Sequence, residues 1–285
     1  MKTSLFILLL LTVAILPAGA KQSAMNNKTQ SGYAPVNGLQ MYYEIHGTGT
    51  MPLVMIHGGS STIETSFGRL LPLLAKHYKI IAVELQAHGR TADRNVPESF
   101  VQDADDVAAL LQYLHVNKAN ILGFSNGGST TLQIAIRHPQ LVNKIIPVSA
   151  VTKRSGLIDG FFKGFDGATL NSMPKPLQEG YLKVNPGNNE GLQRMFERDV
   201  ERMKGFQDWP DEDLRNIKAA TLLISSDQDV ILPEHTLELS KLIPGAHAAI
   251  MPGFHGAFFG EICSPDTDQK MVEATALMLE AFLDK

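Results

Sequence analysis

The chain has 285 residues, of which 44% are hydrophobic and 19% charged, with a formal net charge of -4. This length and composition allow one large α/β domain with its own core and exclude a disordered chain or a coiled coil. With this mild acidity nothing suggests a nucleic-acid binder, which usually carries a basic face. The lone cysteine, Cys263, excludes an internal disulfide and reads as a small buried apolar residue.

In chain order, Lys2, the apolar run Leu5 to Leu16 and the small residues Ala18-Gly19-Ala20 read as a secretory leader over 1–20, cut after Ala20. The alternative is a retained anchor, but the run is shorter than the roughly twenty residues a spanning helix needs. The expectation is an exported protein, periplasmic or secreted, with no membrane span after leader removal. Residues 21–32 are polar and aperiodic and read as a linker. The domain then occupies 33–285.

Strand-like and helix-like runs alternate from there. Leu39 to Ile45 and Leu53 to Ile56 read as strands. Ser66 to His77 reads as a helix, with Phe67, Leu70, Leu71 and Leu74 on one stripe. Lys79 to Leu85 is a strand. Pro97 to His115 is a helix with Val101, Ala104, Ala108, Leu111 and Leu114 on its buried face. Asn120 to Gly123 and Lys144 to Val148 are strands flanking a helix over Asn126 to His138. Ala220 to Ser226 is a strand, Pro233 opens a helix, His247 to Met251 is a strand, and Pro265 opens the last helix with Ser264 as its cap. Apolar strands separated by amphipathic helices predict a mostly parallel sheet covered on both faces. Between about 152 and 215 the alternation breaks. Phe161, Phe162, Phe165, Met173, Met195, Phe206 and Trp209 stand there among glycines, prolines and charges. The segment reads as a helical cap over the sheet's carboxyl edge, or as a further helical layer.

The chemistry centres on Gly123-Phe124-Ser125-Asn126-Gly127-Gly128. A strand enters this run and a helix leaves it. A turn that tight strains the middle residue and needs glycine on either side, where side chains would clash. The hydroxyl of Ser125 is then held out above the sheet, with a helix N-terminus beneath it to favour developing negative charge. A serine needs a base to take its proton. Of nine histidines, most end helices or sit in turns; His46 and His235 read as surface or turn residues. His255 stands in a loop after the last strand, on the sheet edge that Ser125 shares. The base needs a carboxylate to hold its tautomer. Asp227 and Asp229 compete: Asp229 sits in the turn before Pro233, while Asp227 lies nearer the strand end, where a carboxylate caps turn amides. His57-Gly58-Gly59-Ser60 follows a strand on the same edge. The backbone N–H groups of Gly59 and Asn126 are the candidate oxyanion hole, with His57 structural. Gln86 to Thr91 reads as a structural turn at the pocket rim. No metal-binding spacing occurs. Phe124, Val230, Ile231, Phe161 and Phe162 are candidate pocket residues.

With HGGS at 57, HGR at 88, GFSNGG at 123, DVILP at 229 and GFHG at 253 in this order, the chain resembles the α/β-hydrolase fold family over 33–285. The resemblance is to its capped, esterase-like serine hydrolases. It implies Ser125, Asp229 and His255 as a catalytic triad. Two positions depart from the family's pattern: Glu84-Leu85-Gln86-Ala87-His88-Gly89 replaces a frequent D-x-x-G-H-G turn, and Asn126 follows the nucleophile where many members have an apolar residue.

The implied activity is cleavage of a carboxylic ester or related acyl bond of a small, apolar substrate through an acyl-enzyme, with no cofactor. The same triad serves a perhydrolase, a carbon–carbon bond hydrolase, an aminopeptidase or an acyltransferase. An aminopeptidase needs an acid for the substrate's amine, for which Glu179, Glu190, Glu197 and Glu201 are available. A non-enzymatic receptor is the alternative from outside the class. The partner expected is a small molecule, with no nucleic acid; the oligomeric state is unknown from sequence.

Overall fold

A computed structural model describes residues 29–264 and 266–285. The predicted leader, residues 21–28 of the predicted linker and Pro265 lie outside the described residues. Strands β1 (Gln30–Val36), β2 (Leu39–His46), β3 (Leu53–Ile56), β4 (Ile80–Val83), β5 (Ala119–Phe124), β6 (Val142–Val148), β7 (Ala220–Ser226) and β8 (His247–Met251) form one sheet. Their spatial order is β1-β2-β4-β3-β5-β6-β7-β8. β1 pairs antiparallel with β2, β2 antiparallel with β4, and the remaining neighbours are parallel. The chain order switches direction at β3, which lies between β4 and β5. In an open α/β sheet such a switch leaves a crevice beyond the carboxyl ends of the strands. The loops after β3 and β5, carrying Gly59 and Ser125, border it.

The described helices are α1 (Ile63–Phe67), α2 (Leu71–Leu74), α3 (Phe100–Tyr113), α4 (Asn126–Arg137), α5 (Lys175–Val184), α6 (Asn189–Lys204), α7 (Asp211–Arg215), α8 (Pro233–Leu242) and α9 (Gln269–Leu283). Alternate residues of each strand serve opposite layers. Val54 and Ile56 of β3 pack with Leu110, Leu132 and Leu239 from α3, α4 and α8. Leu53 and Met55 pack with Phe67, Leu74 and Leu279 on or beside α1, α2 and α9. Both faces are buried, so the central strands read as unbroken apolar runs.

Several boundaries differ from the sequence reading. The predicted linker gives up Gln30 to Gly32 to β1, which turns into β2 through Asn37 and Gly38 at φ 45° and 82°. This pair suits a tight hairpin because both turn residues need the left-handed region. The helix predicted over Ser66 to His77 is two short ones. Thr62 caps α1 in a capping box, Gly68 ends it, and Pro72 enters α2 near its start. A continuous helix would drive the Pro72 ring into the Gly68 carbonyl. The helix predicted from Pro97 begins at Phe100 under a Ser99 cap. The last helix begins at Gln269 and is capped by Asp268, not Ser264. Cys263 is exposed, and His235, on α8, is buried.

Between β6 and β7 the chain forms three 3-10 turns, α5, α6 and α7. Phe206, Met203, Leu157 and Ile231 form one apolar cluster, and Met195, Phe196, Leu177 and Tyr181 another. Helix α7 packs back on α4 and α8 of the main layer. No described helix is long and apolar enough to cross a membrane.

Candidate active site

Ser125 joins β5 to α4 with φ 55° and ψ -117°, in the strained region expected of a sharp strand-to-helix turn. Its N–H donates to the Val148 carbonyl at 2.8 Å. The flanking glycines have specific reasons. A side chain at Gly123 would strike the Gly127 carbonyl, and one at Gly127 would strike the Ile56 and His57 carbonyls. At Gly128 it would come within 2.6 Å of the Val148 carbonyl. The turn therefore closes only with these residues, and it leaves the Asn126 N–H as the first of α4, without an intrahelical acceptor.

The turn after β7 and the loop after β8 bring Asp229 and His255 together. His255 Nδ1 lies 2.6 Å from Asp229 Oδ1. The Asp229 carboxylate is wholly buried and also accepts from Ile231 N at 3.1 Å and from Ser149 Oγ at 2.6 Å. Burial alone would push this carboxyl up, but His255, Ser149 and the backbone donor hold it below the usual carboxylate range. Asp227 is placed elsewhere: its Oδ1 accepts from Gly253 N at 2.7 Å and so shapes the histidine loop from outside. Phe124 links this pair to the elbow. Its ring lies 4.6 Å from the His255 ring and 4.9 Å from Phe259. Gly256 is needed here, because at φ 71° a side chain would approach the Phe124 ring to 2.8 Å. Phe124 is therefore a buried support for His255 and not a pocket residue. The hydrogen bonds of the described residues do not include one between Ser125 Oγ and His255; such bonds commonly tighten only when substrate is bound.

Ser125 opens onto a cavity of about 360 Å³ whose wall includes Gly59, Asn126, Val230, Ile231 and Phe161. Val151, Leu157, Phe165, Met173 and Leu177 cover it from the segment after β6. Phe162 is not on this wall. It stacks on Phe206 at 6.0 Å under the Arg154 guanidinium, inside its own cluster. Among the described residues, neither the Gly59 nor the Asn126 N–H has a protein acceptor. The loop that carries Gly59 is fixed from below. Gly58 N donates to Ser66 Oγ at 3.1 Å. His57 is wholly buried, with Nδ1 donating to Gly58 O at 2.7 Å and Nε2 accepting from Leu85 N at 3.0 Å. Burial, reinforced by the neighbouring His88 cation, pushes His57 down to about 3, which keeps it a neutral structural ring.

Helix α6 adds a buried polar layer that faces the same loop. Asp199 Oδ2 accepts from Ser60 N at 2.5 Å, Ser60 Oγ at 3.0 Å and His88 Nε2 at 3.0 Å. Asp199 Oδ1 accepts from Asn126 Nδ2 at 3.0 Å. His88 Nδ1 faces the Gln86 carbonyl at 2.7 Å, so both ring nitrogens meet oxygen acceptors and both carry protons. Burial pushes His88 down, but Asp199 and Glu98 outweigh it and raise His88 to about 9. Arg202, one turn along, bonds Glu98 at 2.7 Å and Asp103 at 2.9 Å. Glu98 is pushed up to about 7 by burial, against the pull of Arg202 and His88. Among the described residues no group of three or more His, Cys, Asp or Glu is arranged to hold a metal ion.

This network sets a stability prediction. An unfolded chain releases the His88 proton near pH 6.5. The contribution of His88 is therefore complete below about pH 6.5 and is lost as pH rises through about 9. Glu98 acts with the same sign over a lower window, up to about 7. The wild-type urea midpoint is expected to fall between pH 6.5 and pH 9, by the equivalent of a few kcal/mol. In His88→Gln that fall is expected to flatten, and a parallel decline in both proteins would remove His88 as its source.

The family model described as "alpha/beta hydrolase fold" matches residues 51–170. The elbow, the sheet order and this match agree. The chain has the α/β-hydrolase fold. Proteins similar to it include the human serine hydrolase BPHL, 26% identical over 251 residues and covering 83% of each chain. A 2-hydroxy-6-oxo-6-(2'-aminophenyl)hexa-2,4-dienoic acid hydrolase of Metapseudomonas resinovorans is 23% identical over 274 residues, covering 81% of this chain and 88% of that one. Among solved structures, the 2-hydroxy-6-oxo-6-phenylhexa-2,4-dienoate hydrolase of Rhodococcus sp. strain RHA1 superposes with a TM-score of 0.73 at 18% identity, covering 90% of this chain and 99% of that one. That likeness concerns the fold.

Within this α/β hydrolase, the sequence reading missed Asp199, Ser60, Ser149 and the charge on His88. A signal for Asp199 was present. Leu192, Met195, Phe196, Asp199, Arg202 and Met203 recur at three and four residues, which puts a carboxylate and a guanidinium on the apolar face of α6. The acids that were considered for an amine, Glu179, Glu190, Glu197 and Glu201, all point to solvent.

Proposed function

We propose that this hydrolase cleaves a carboxylic ester of a small, uncharged, largely apolar substrate, with Ser125 as nucleophile, His255 as general base and Asp229 as its partner. The observation that carries the ester reading is the cavity beside Ser125. It is mostly apolar, and among the described residues it has no lysine or arginine on its wall and Asp199 as its one charged lining residue. Ser125 Oγ attacks the ester carbonyl while His255 takes its proton. The tetrahedral oxyanion is held by the Gly59 and Asn126 N–H groups. His255 returns the proton to the departing alcohol, leaving an acyl-enzyme, and then draws a proton from water, whose oxygen attacks the acyl carbon; His255 passes that proton to Ser125 Oγ as the C–Oγ bond breaks, which releases the acid and restores the free serine.

Hydrolysis of a carbon–carbon bond is a second reading, supported by the names of the dienoate hydrolases similar to this chain. A dienoate carries a carboxylate, and a buried carboxylate without a cationic partner is costly. The test compares p-nitrophenyl butyrate with the p-nitrophenyl monoester of glutaric acid and with a 2-hydroxy-6-oxo-hexadienoate. The neutral ester is expected to be favoured in kcat/KM over the acidic one by on the order of 10²-fold. Faster turnover of the dienoate than of the neutral ester would replace the ester reading with the second one.

A further inference from the structure

Asp199 has no role in the steps just described, yet its carboxylate, on the cavity wall, accepts from Ser60 N, Ser60 Oγ, His88 Nε2 and Asn126 Nδ2. It is 6% exposed and sits on α6, in the segment that covers the site, not on the sheet that carries Ser125. Resting on the serine-hydrolase reading above, we propose that Asp199 is a positioning residue for the oxyanion hole. In this role it holds Ser60 and Asn126, and through them aims the Gly59 and Asn126 N–H groups at the substrate carbonyl.

Three observations carry this. The first is where its bonds go. One carboxylate oxygen takes Ser60 N and Ser60 Oγ, and the other takes Asn126 Nδ2. Ser60 directly follows Gly59, and the Asn126 side chain belongs to the second donor residue itself. The carboxylate thus clamps both halves of the hole, which come from different loops. The second is strain. Ser60 has φ 55°, a left-handed backbone that a non-glycine residue keeps only when its surroundings hold it. The Asp199 bonds to its N–H and hydroxyl are that hold. The third is packing. A side chain at Gly59 would come within 2.6 Å of Asn126 Nδ2 and 3.3 Å of Asp199 Oδ1, so loop, amide and carboxylate already fill the space.

A bare carboxylate so near a developing oxyanion would oppose catalysis. Here His88 Nε2 stands 3.0 Å behind it, so the pair is close to neutral. The clamp is itself anchored on both sides along α6. Arg198 bonds Asp93 at 2.8 Å, and Arg202 bonds Glu98 and Asp103. The covering segment therefore completes the acyl-transfer site as well as shielding it.

The test uses Asp199→Ala and Asp199→Asn in the full chain. Rates are normalised to sites titrated with a fluorophosphonate. The two readouts are kcat and KM for p-nitrophenyl butyrate and the inhibition constant of an alkyl trifluoromethyl ketone, which forms a tetrahedral adduct. Asp199→Ala is expected to lower kcat by on the order of 10²-fold, as losing an oxyanion donor does, with KM within about threefold. The ketone should weaken by the same factor. Asp199→Asn keeps a carbonyl acceptor and the side-chain volume, and should recover about tenfold of that loss. If the alanine variant does not fold, the asparagine variant decides: a fall in kcat matched by weaker ketone binding supports the clamp. Unchanged kcat, or a fall without change in ketone affinity, overturns it. Ser125→Ala, with its rate taken per total folded protein because it offers no serine to titrate, separates the two levels. Turnover retained there sinks the serine-hydrolase reading; turnover lost there but kept in the Asp199 variants sinks only the clamp.

Discussion

Replacing Ser125 by alanine is expected to lower kcat for a neutral p-nitrophenyl ester by on the order of 10⁶-fold, because triad members act as a unit. The fold should be unaffected. The strained backbone at φ 55° is held by the Ser125 N–H bond to Val148 and by the flanking glycines, and none of these involves the hydroxyl. Alanine and serine also meet the same penalty in that region, since each carries a Cβ. A variant with wild-type unfolding behaviour and turnover within about tenfold of wild type would remove Ser125 from the mechanism.

The second large effect is expected at Asp229. Asp229→Asn should cost about 10⁴-fold in kcat with little change in structure, because an amide facing His255 Nδ1 favours the wrong tautomer. The neighbouring Asp227→Asn should cost less than about tenfold, since a solvent-accessible bond to a loop N–H contributes little. The two carboxylates are two residues apart in sequence, and their environments set the difference. Asp229 is buried against His255, Ser149 and Ile231, whereas among the described residues the Asp227 side chain reaches only Gly253 N, at 2.7 Å. Kinetics of the pair decide the matter, and the reverse order of severity would exchange their roles.

The elements that could be read from sequence are those where the backbone leaves no choice of residue. Gly123 and Gly127 touch carbonyls of adjoining elements, so the elbow declares itself as a spacing. The apolar runs of β3 to β7 declare a sheet buried on both faces. What could not be read depended on a partner distant in sequence. Phe124 is an aromatic next to the nucleophile, and nothing local says whether it faces the cavity or the His255 ring. Phe162 and Phe161 are adjacent and aromatic, yet only Phe161 reaches the cavity, because Arg154 and Phe206 take the other ring. The break between α1 and α2 was legible in Gly68 and Pro72 and was hidden by the apolar stripe running across them. Asp199 was the largest omission. Its meaning comes from His88 and Ser60, more than a hundred residues earlier, and from Asn126, which only the fold brings to the same point.

The most direct test of the central claim is the intact mass of the protein after exposure to a fluorophosphonate, in wild type and in Ser125→Ala. The prediction is one phosphonyl adduct per wild-type chain and none on the variant, since a serine reacts this way only when a base removes its proton. An adduct of equal yield on Ser125→Ala, or none on folded wild-type protein, would contradict it.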